Sequence, residues 1–161
     1  VETKKLKDSK KLTKIKREKL DTYIKNNSKW SIGTASVKEI EKYNILKASL
    51  LAMGRAIKKL RNKPTLVLVD GNKIPIVKNY KFKSVIKGDQ KIPEISAASI
   101  IAKVARDKLI KKISKKYKGY FWDQNAGYGT NKHLKAIRKL GITKFHRKKF
   151  KPVYNMLRVV K

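Results

Sequence analysis

The spacing of apolar and polar positions predicts helices and strands that alternate from the start of the chain. Apolar residues at helical spacing indicate a Lys-rich helix over 13–27, for which Asp8 and Ser9 are candidate caps. The segment 30–35 is a short β-like run. The many lysines of the first helix are most simply a solvated face.

The middle of the chain combines a long helix with a short, continuous apolar strand. Ser36, with Glu39 three residues later, has the capping-box pattern and predicts a helix that ends at the breaker 62–64. The run 65–69 is β-branched and Leu-rich but too short for a helix, so we predict a central strand covered on both faces. Asp70 follows at the carboxyl end of this strand.

The remainder of the chain predicts one further strand and two helices. The strand spans about 80–86, and the helices span about 95–117 and 131–140, the second ended by Gly141. Such alternation is typical of an α/β layered fold. A length of 161 residues, 40% of them apolar, predicts a single domain over 1–161.

The charge of the chain favours a polyanionic partner. There are 44 Lys and Arg against 11 Asp and Glu, a net charge of +33, and clustered cations bind nucleic-acid phosphates. Because an A/T-rich genome also yields many Lys, Ile and Asn codons, charge alone is a weak argument. No Cys, no apolar run of membrane length and no signal-peptide pattern predict a cytoplasmic protein without membrane contact, and we expect a monomer.

Two of the scarce carboxylates stand where chemistry is expected in such a fold. Functional groups of open α/β sheets collect beyond the carboxyl ends of strands, where Asp70 lies and where Asp89 follows the second predicted strand. Neighbouring carboxylates repel unless a cation separates them, and oxygen ligands suit magnesium or manganese. The alternative, that Asp70 and Gly71 only form a turn, stays open on the pattern alone.

An aromatic residue between two glycines is the second candidate for function. Tyr128, in the GYGT segment, would be prominent on a flexible turn and could stack on a base or sugar, or could pack against its own helix. His133 and His146 are interpreted as packed or surface residues rather than ligands.

As a set, these segments resemble ribonuclease HII, the bacterial type 2 ribonuclease H family, from Leu6 to Val153. The motifs that carry the resemblance are DSKKLT, NILKASLLAM, LVDGN, KGDQKIPEISAASIIAKVARD, GYGTNKH and HRKKFKPV. The resemblance implies a ribonuclease H-like layered fold, with a central sheet flanked by helices and a C-terminal helical region. It also implies an endonuclease that hydrolyses the RNA strand of RNA/DNA hybrids and nicks duplex DNA 5′ of an embedded ribonucleotide, leaving 3′-hydroxyl and 5′-phosphate ends.

The resemblance also implies roles for individual residues. Asp70 and Asp89 match two of four family carboxylates that hold Mn²⁺ or Mg²⁺, where the ions activate the attacking water and stabilise the leaving oxygen. Tyr128 matches the tyrosine that stacks on the sugar at the RNA-to-DNA junction. Lys10 and Lys11 lie where the family approaches substrate phosphates.

Asp107 is the competing acid for the metal site. It lies well inside the predicted helix 95–117, and Asp89 fits the family pattern better. We therefore interpret Asp107 as a structural acid next to the site, paired with Arg106 or a neighbouring Lys.

Three departures from the family pattern set further expectations. The DExGRG segment on the first family strand, with its Asp-Glu pair, is absent from the 161 residues, while Ala126 and Lys149 replace residues usual near the substrate. We therefore expect an N-terminally truncated domain with little or no nuclease activity as given. The alternatives are an inactive remnant that still binds hybrids and a non-catalytic basic RNA-binding protein.

Overall fold

The computed structural model describes residues 12–159. In chain order its elements are α1 (Lys14–Asn27), α2 (Val37–Lys59), β1 (Val67–Asp70), β2 (Phe82–Val85), α3 (Gly88–Lys91), α4 (Pro93–Lys116), α5 (Trp122–Asn125), α6 (Asn131–Leu140) and α7 (Lys151–Val159). The combination of helices with a parallel strand pair confirms the predicted α/β class.

The chain divides into two compact units. Unit 1 holds the described residues up to Thr34 together with Ser49–Ala105, and unit 2 holds Ala35–Ala48 and the described residues from Arg106 onward. This division does not test whether residues 1–161 form one domain, so the single domain stays a prediction.

Helix α1 begins at a threonine cap. The Thr13 hydroxyl accepts a hydrogen bond from the Lys16 backbone N–H at 3.4 Å, which satisfies one of the free donors of the first turn. The caps predicted at Asp8 and Ser9 lie outside the described residues, and the cap observed at the start of the helix is Thr13.

The strand predicted at 30–35 is wrong, because this extended segment pairs with no strand in the described range. Instead it lies along the second half of α2, where the Ser31 hydroxyl donates to the Ala56 carbonyl at 2.6 Å. The backbones come so close that a Cβ added to Gly33 would overlap the carbonyl oxygen of Ala52. The β-like pattern therefore reflects contact with a helix rather than with a sheet.

Helix α2 begins at the predicted capping box. The Ser36 N–H donates to Glu39 Oε2 at 2.8 Å, and the Glu39 N–H donates to Ser36 Oγ at 3.2 Å. A break that the sequence analysis missed follows at Asn44, whose backbone leaves the helical region (φ 68°, ψ 170°). Its side-chain oxygen accepts from the Lys47 N–H at 3.1 Å, so Asn44 acts as an internal cap that restarts the helix.

Strands β1 and β2 pair in parallel, with Asp70 opposite Val85. In the described residues the sheet has two strands, so the central position predicted for β1 is not seen there. Coverage on both faces is also wrong in this range, since Val69 is buried but Leu66, just before the strand, is 48% exposed. The parallel pairing nevertheless brings both strand ends to one edge, which positions the candidate site.

Helix α4 supplies most of the core of unit 1. It begins two residues before the predicted start, and Ser96 in its first turn is 1% exposed, as expected for a small residue that allows close packing. A cluster of buried aliphatic side chains joins α4 to α1; its members are Ile24, Ile100 and Ile101. This packing fixes the helix that follows the acidic turn after β2.

Unit 2 is built around an aromatic core. Its buried members are Tyr120, Trp122, Ala136, Ile137 and Val153. Helix α6 has the predicted bounds and ends at Gly141, whose φ of 75° suits a glycine. The short helix α5 was not predicted, and the C-terminal helix α7 falls within the C-terminal helical region that the resemblance implied, although its bounds were not predicted.

Candidate active site

Asp70 is the last residue of β1 and lies at the carboxyl edge of the sheet. The next residue, Gly71, adopts a φ of 96° and donates its N–H to the Val85 carbonyl at 2.9 Å, which closes the strand pair. The Asp70 side chain is exposed, and its Oδ1 accepts the Gly88 N–H at 2.8 Å. The turn predicted for this Asp-Gly pair therefore exists, and it leaves the carboxylate directed toward the segment after β2.

The backbone conformation of that segment, Lys87–Gly88–Asp89, allows the Gly88 N–H to donate to Asp70. Lys87 adopts a left-handed conformation (φ 56°, ψ 40°), which a lysine takes only when the surroundings hold it there. Gly88 is buried, and a Cβ on it would come within 2.6 Å of the Ile95 Cδ1. A side chain at position 88 would therefore force Ile95 or the turn that carries the Gly88 N–H to shift.

Asp89 is 5% exposed and lies in the first turn of α3. The two acid-bearing segments are thus joined by one hydrogen bond at the end of two parallel strands. Because Asp70 Oδ1 uses one acceptor position for Gly88, the carboxylate keeps further lone pairs for other partners. The structure brings the two predicted acids, Asp70 and Asp89, to the same edge.

The donor set at this edge fits a hard divalent cation in part. Carboxylate oxygens are the ligands that Mg²⁺ and Mn²⁺ prefer, and Mg²⁺ usually keeps several waters around one or two carboxylates. Across residues 12–159, no group of three or more His, Cys, Asp and Glu side chains is close enough to hold a metal. Asp70 and Asp89 are carboxylates of the type that such a cation takes, and water or substrate oxygens would have to complete any coordination that they begin.

Tyr128 belongs to unit 2 and lies in a tight turn after α5. Ala126 and Gly127 both have positive φ, 49° and 78°, and the Tyr128 N–H donates to the Asn125 carbonyl at 2.9 Å. The ring is 59% exposed. The exposure therefore argues against the alternative that Tyr128 packs against its own helix, and the side chain is available to a ligand.

Asp107 belongs to unit 2 and pairs with its neighbour in the helix. The Arg106 Nη1 lies 3.8 Å from the Asp107 Oδ1, which is the pairing expected from the sequence. The structural role of Asp107 stays a prediction.

Two histidines lie inside the aromatic core of unit 2 and stack on each other, with ring centroids 5.3 Å apart. The Nδ1 of His133 lies 2.8 Å from the Tyr120 carbonyl, and the Nδ1 of His146 accepts the Thr143 N–H at 2.8 Å. Burial, with a smaller contribution from the nearby His133, lowers the pKa of His146 to about 4. The lowered pKa leaves the His146 ring neutral at neutral pH. Both histidines are buried packing residues, as interpreted from the sequence.

The remaining predicted substrate residues, Lys10 and Lys11, lie outside the described residues. In the part of the chain that is described, no helix is both long and apolar enough to cross a membrane.

Two features of the site were missed by the sequence analysis. Nothing in the pattern indicated that Lys87 takes a left-handed conformation, since this depends on the packing of Gly88 against Ile95. The contact of Arg106 with the Tyr128 ring, 5.4 Å from guanidinium carbon to ring centroid, was also missed. A signal existed for the second: each residue lies inside a conspicuous motif, Arg106 in the segment that ends in VARD and Tyr128 in GYGT, but 22 positions separate them.

Comparison with known proteins gives one consistent result. The family model described as Ribonuclease HII matches residues 2–153. A ribonuclease HII of Pelagibacter ubique is 67% identical over 157 residues, covering 98% of this chain and 84% of the relative. One from Roseobacter denitrificans is 47% identical over 152 residues, covering 94% of this chain and 77% of the relative.

Solved structures agree at the level of the fold. The ribonuclease H2 of Pyrococcus horikoshii superposes with a TM-score of 0.79 at 24% identity, covering 96% of this chain and 81% of that one. The RNase HII of Archaeoglobus fulgidus, solved in complex with PCNA, superposes with a TM-score of 0.68 at 25% identity, covering 96% and 82%. The chain therefore belongs to the ribonuclease HII family and is a ribonuclease H, an endonuclease that acts on RNA/DNA hybrids.

Proposed function

We propose that Asp70 and Asp89 hold a divalent cation, Mn²⁺ or Mg²⁺, and that this centre hydrolyses the RNA strand of RNA/DNA hybrids to 3′-hydroxyl and 5′-phosphate ends. The observation that carries the proposal is the 2.8 Å hydrogen bond from the Gly88 N–H to Asp70 Oδ1. It joins the segment that carries Asp70 to the segment that carries Asp89, at the end of the two parallel strands.

Each residue of this edge has a distinct part in the proposal. Gly88 orients the Asp70 carboxylate, and the buried position of Asp89 keeps its carboxylate fixed next to the strand end. A cation bound there supplies Lewis-acid chemistry: it lowers the pKa of an attacking water and stabilises the leaving oxygen. The two aspartates would hold that cation at the end of the strand pair.

The substrate is expected to bind by its phosphates and its sugar. A net charge of +33 supports binding to a polyanion, and Lys10 and Lys11 are proposed to contact phosphates. The exposed Tyr128 ring is proposed to stack on the sugar at an RNA-to-DNA junction. With such a contact the enzyme would also nick duplex DNA 5′ of a single embedded ribonucleotide. The proposed site of action is the cytoplasm.

The proposal is tested by comparing Asp70→Asn, Asp89→Asn and Asp123→Asn on a labelled RNA/DNA hybrid with Mn²⁺ or Mg²⁺. Asp123 is an exposed acid of α5 in unit 2, so it is a matched control for loss of one negative charge. Several kcal/mol of Lewis-acid stabilisation correspond to a loss of at least about 100-fold in cleavage rate for Asp70→Asn and Asp89→Asn. Asp123→Asn should cleave like the parent.

The chemistry of the product ends provides a second readout. Metal-assisted hydrolysis gives a 5′-phosphate and a 3′-hydroxyl, whereas attack by the ribose 2′-hydroxyl gives a 2′,3′-cyclic phosphate. Cyclic ends, or cleavage by Asp70→Asn at the parental rate, would refute the proposed site. Hybrid binding that follows the salt concentration and does not respond to Mn²⁺ or Mg²⁺ would support the basic binding protein instead.

A further inference from the structure

The turn that carries Tyr128 leaves its ring with little cover from the protein. Ala126 and Gly127 both adopt positive φ, so the chain reverses sharply and directs residue 128 outward. Tyr128 is 59% exposed, although it does have contacts, one of them with Arg106. Stacking on a sugar requires a fixed ring plane, and the rotation of an exposed tyrosine has to be restrained to provide one.

Arg106 of α4 provides that restraint. Its guanidinium carbon lies 5.4 Å from the Tyr128 ring centroid, within the range of a cation–π contact. A Cβ added to Gly127 would lie 3.6 Å from the Arg106 Nη2, so the guanidinium is close to the turn backbone as well as to the ring. A planar guanidinium can stack on an aromatic face in a way that a lysine ammonium cannot.

The guanidinium is itself held in place. Arg106 belongs to a 24-residue helix, and its Nη1 lies 3.8 Å from the carboxylate of Asp107. The Arg106 side chain is 45% exposed and that of Asp107 is 24% exposed, so this ion pair is weak and acts on orientation more than on stability. A regular helix thereby fixes the Arg106 guanidinium, and the Tyr128 ring, which is carried by a flexible turn, rests against it.

We propose that Arg106 is a positioning residue for Tyr128 and so contributes to discrimination of RNA-to-DNA junctions. The inference rests on the proposed stacking role of Tyr128 and deepens it. Arg106 acts through the ring: it covers one face and sets the plane that the sugar meets. A guanidinium bound directly to a substrate phosphate is the rival explanation for any loss of affinity in Arg106 variants.

The experiment measures a ratio of affinities, in metal-free buffer so that nothing is cleaved. Two labelled duplexes are compared, one with a single ribonucleotide and one of the same sequence in DNA throughout. The variants are Arg106→Met, Arg106→Lys, Tyr128→Ala and the double variant Arg106→Met with Tyr128→Ala. Thermal unfolding of each protein confirms that it is folded, and Arg106→Gln replaces Arg106→Met if the latter is not.

The expected result is a loss of junction preference that depends on the tyrosine. Arg106→Met should lower the ratio about two- to fivefold, the size of an exposed cation–π contact. Arg106→Lys should lower the ratio less than Arg106→Met does. In the Tyr128→Ala background, Arg106→Met should change the ratio no further. The salt dependence of all-DNA binding should stay as in the parent, because a positioning residue neutralises no phosphate.

The two proposals fail in different ways. A parent without junction preference, or Tyr128→Ala with the parental ratio, overturns the proposed role of Tyr128 and the inference with it. If Tyr128→Ala lowers the ratio but Arg106→Met does not, the inference alone is wrong. It is also wrong if Arg106→Met lowers affinity equally in both backgrounds and reduces the salt slope, since Arg106 then contacts phosphate directly.

Discussion

Replacing Gly88 with alanine should disrupt the acidic edge for a steric reason. The added Cβ would lie 2.6 Å from the Ile95 Cδ1 and 3.3 Å from the Val85 Cβ, whereas carbon atoms in contact are normally about 3.5–4.0 Å apart. Relief requires a shift of about 1 Å in a buried region, and such overpacking costs about 1–3 kcal/mol of unfolding free energy. No positive φ is involved at Gly88, so the whole effect is attributed to contact.

The neighbouring isoleucine offers a specific rescue. Ile95→Val deletes the clashing Cδ1 and keeps Cγ2, which would lie 3.5 Å from the new Cβ, an ordinary contact. Alone, this truncation should cost about 0.5–1.5 kcal/mol. Combined with Gly88→Ala it should cost less than the sum of the two single changes, by about 1 kcal/mol.

Urea unfolding of the four proteins, followed by far-UV circular dichroism, measures this coupling directly. Cleavage of a hybrid should follow the same order, because displacement of residue 88 moves the N–H that orients Asp70. The steric account of this glycine would be refuted if the losses of unfolding free energy of the two single variants simply added in the double variant. A Gly88→Ala protein as stable and active as the parent would also refute it.

Three further changes test other parts of the structure. Ala126→Gly should raise the unfolding free energy by about 1 kcal/mol, since a left-handed conformation is costly for alanine, and unchanged stability would contradict this. Gly33→Ala should cost about 3 kcal/mol or more, because its Cβ meets the rigid carbonyl of Ala52; a mild loss in urea unfolding would show that the segment can move. The folded pKa of His146 is about 4 and the unfolded value 6.5, so the unfolded state binds more protons between these values and stability falls as pH drops through that window, by up to about 3 kcal/mol. His146→Phe should flatten this dependence in unfolding measured from pH 7 to pH 4.

Features encoded by near neighbours were predicted well from the sequence. The capping box of Ser36 and Glu39 needs residues three positions apart, and both of its hydrogen bonds are present. Helix α6 has its predicted bounds because a threonine cap and Gly141 mark its ends. The position of Asp70 also follows from local pattern, since a β-branched run can be recognised without knowing its partners.

Features decided by distant contacts were not predictable in this way. The segment 30–35 has a strand-like pattern, yet its polar groups are satisfied by a helix, through a hydrogen bond from Ser31 to a carbonyl 25 positions away. The left-handed Lys87 depends on the packing of Gly88 on Ile95, and the Arg106 contact with Tyr128 depends on a turn of two positive-φ residues. In each case a tertiary contact determined the local conformation.

The resemblance to ribonuclease HII supplied what physical pattern left open. From pattern alone, Asp70 could have been a turn residue or a ligand, and the structure contains both the turn and the exposed carboxylate. Family motifs favoured Asp89 over Asp107 as the second acid. The hydrogen bond between the two acid-bearing segments supports that choice, and the metal site itself stays a proposal.

Locating a bound cation tests the central claim most directly. Mn²⁺ broadens the NMR signals of nearby amides, so a titration of the ¹⁵N-labelled protein reports where the ion binds. The amides of Gly71, Gly88 and Asp89 should broaden first, and Asp70→Asn should weaken the effect. Broadening that starts near Asp107, or that is unchanged in Asp70→Asn, would contradict a cation held by Asp70 and Asp89.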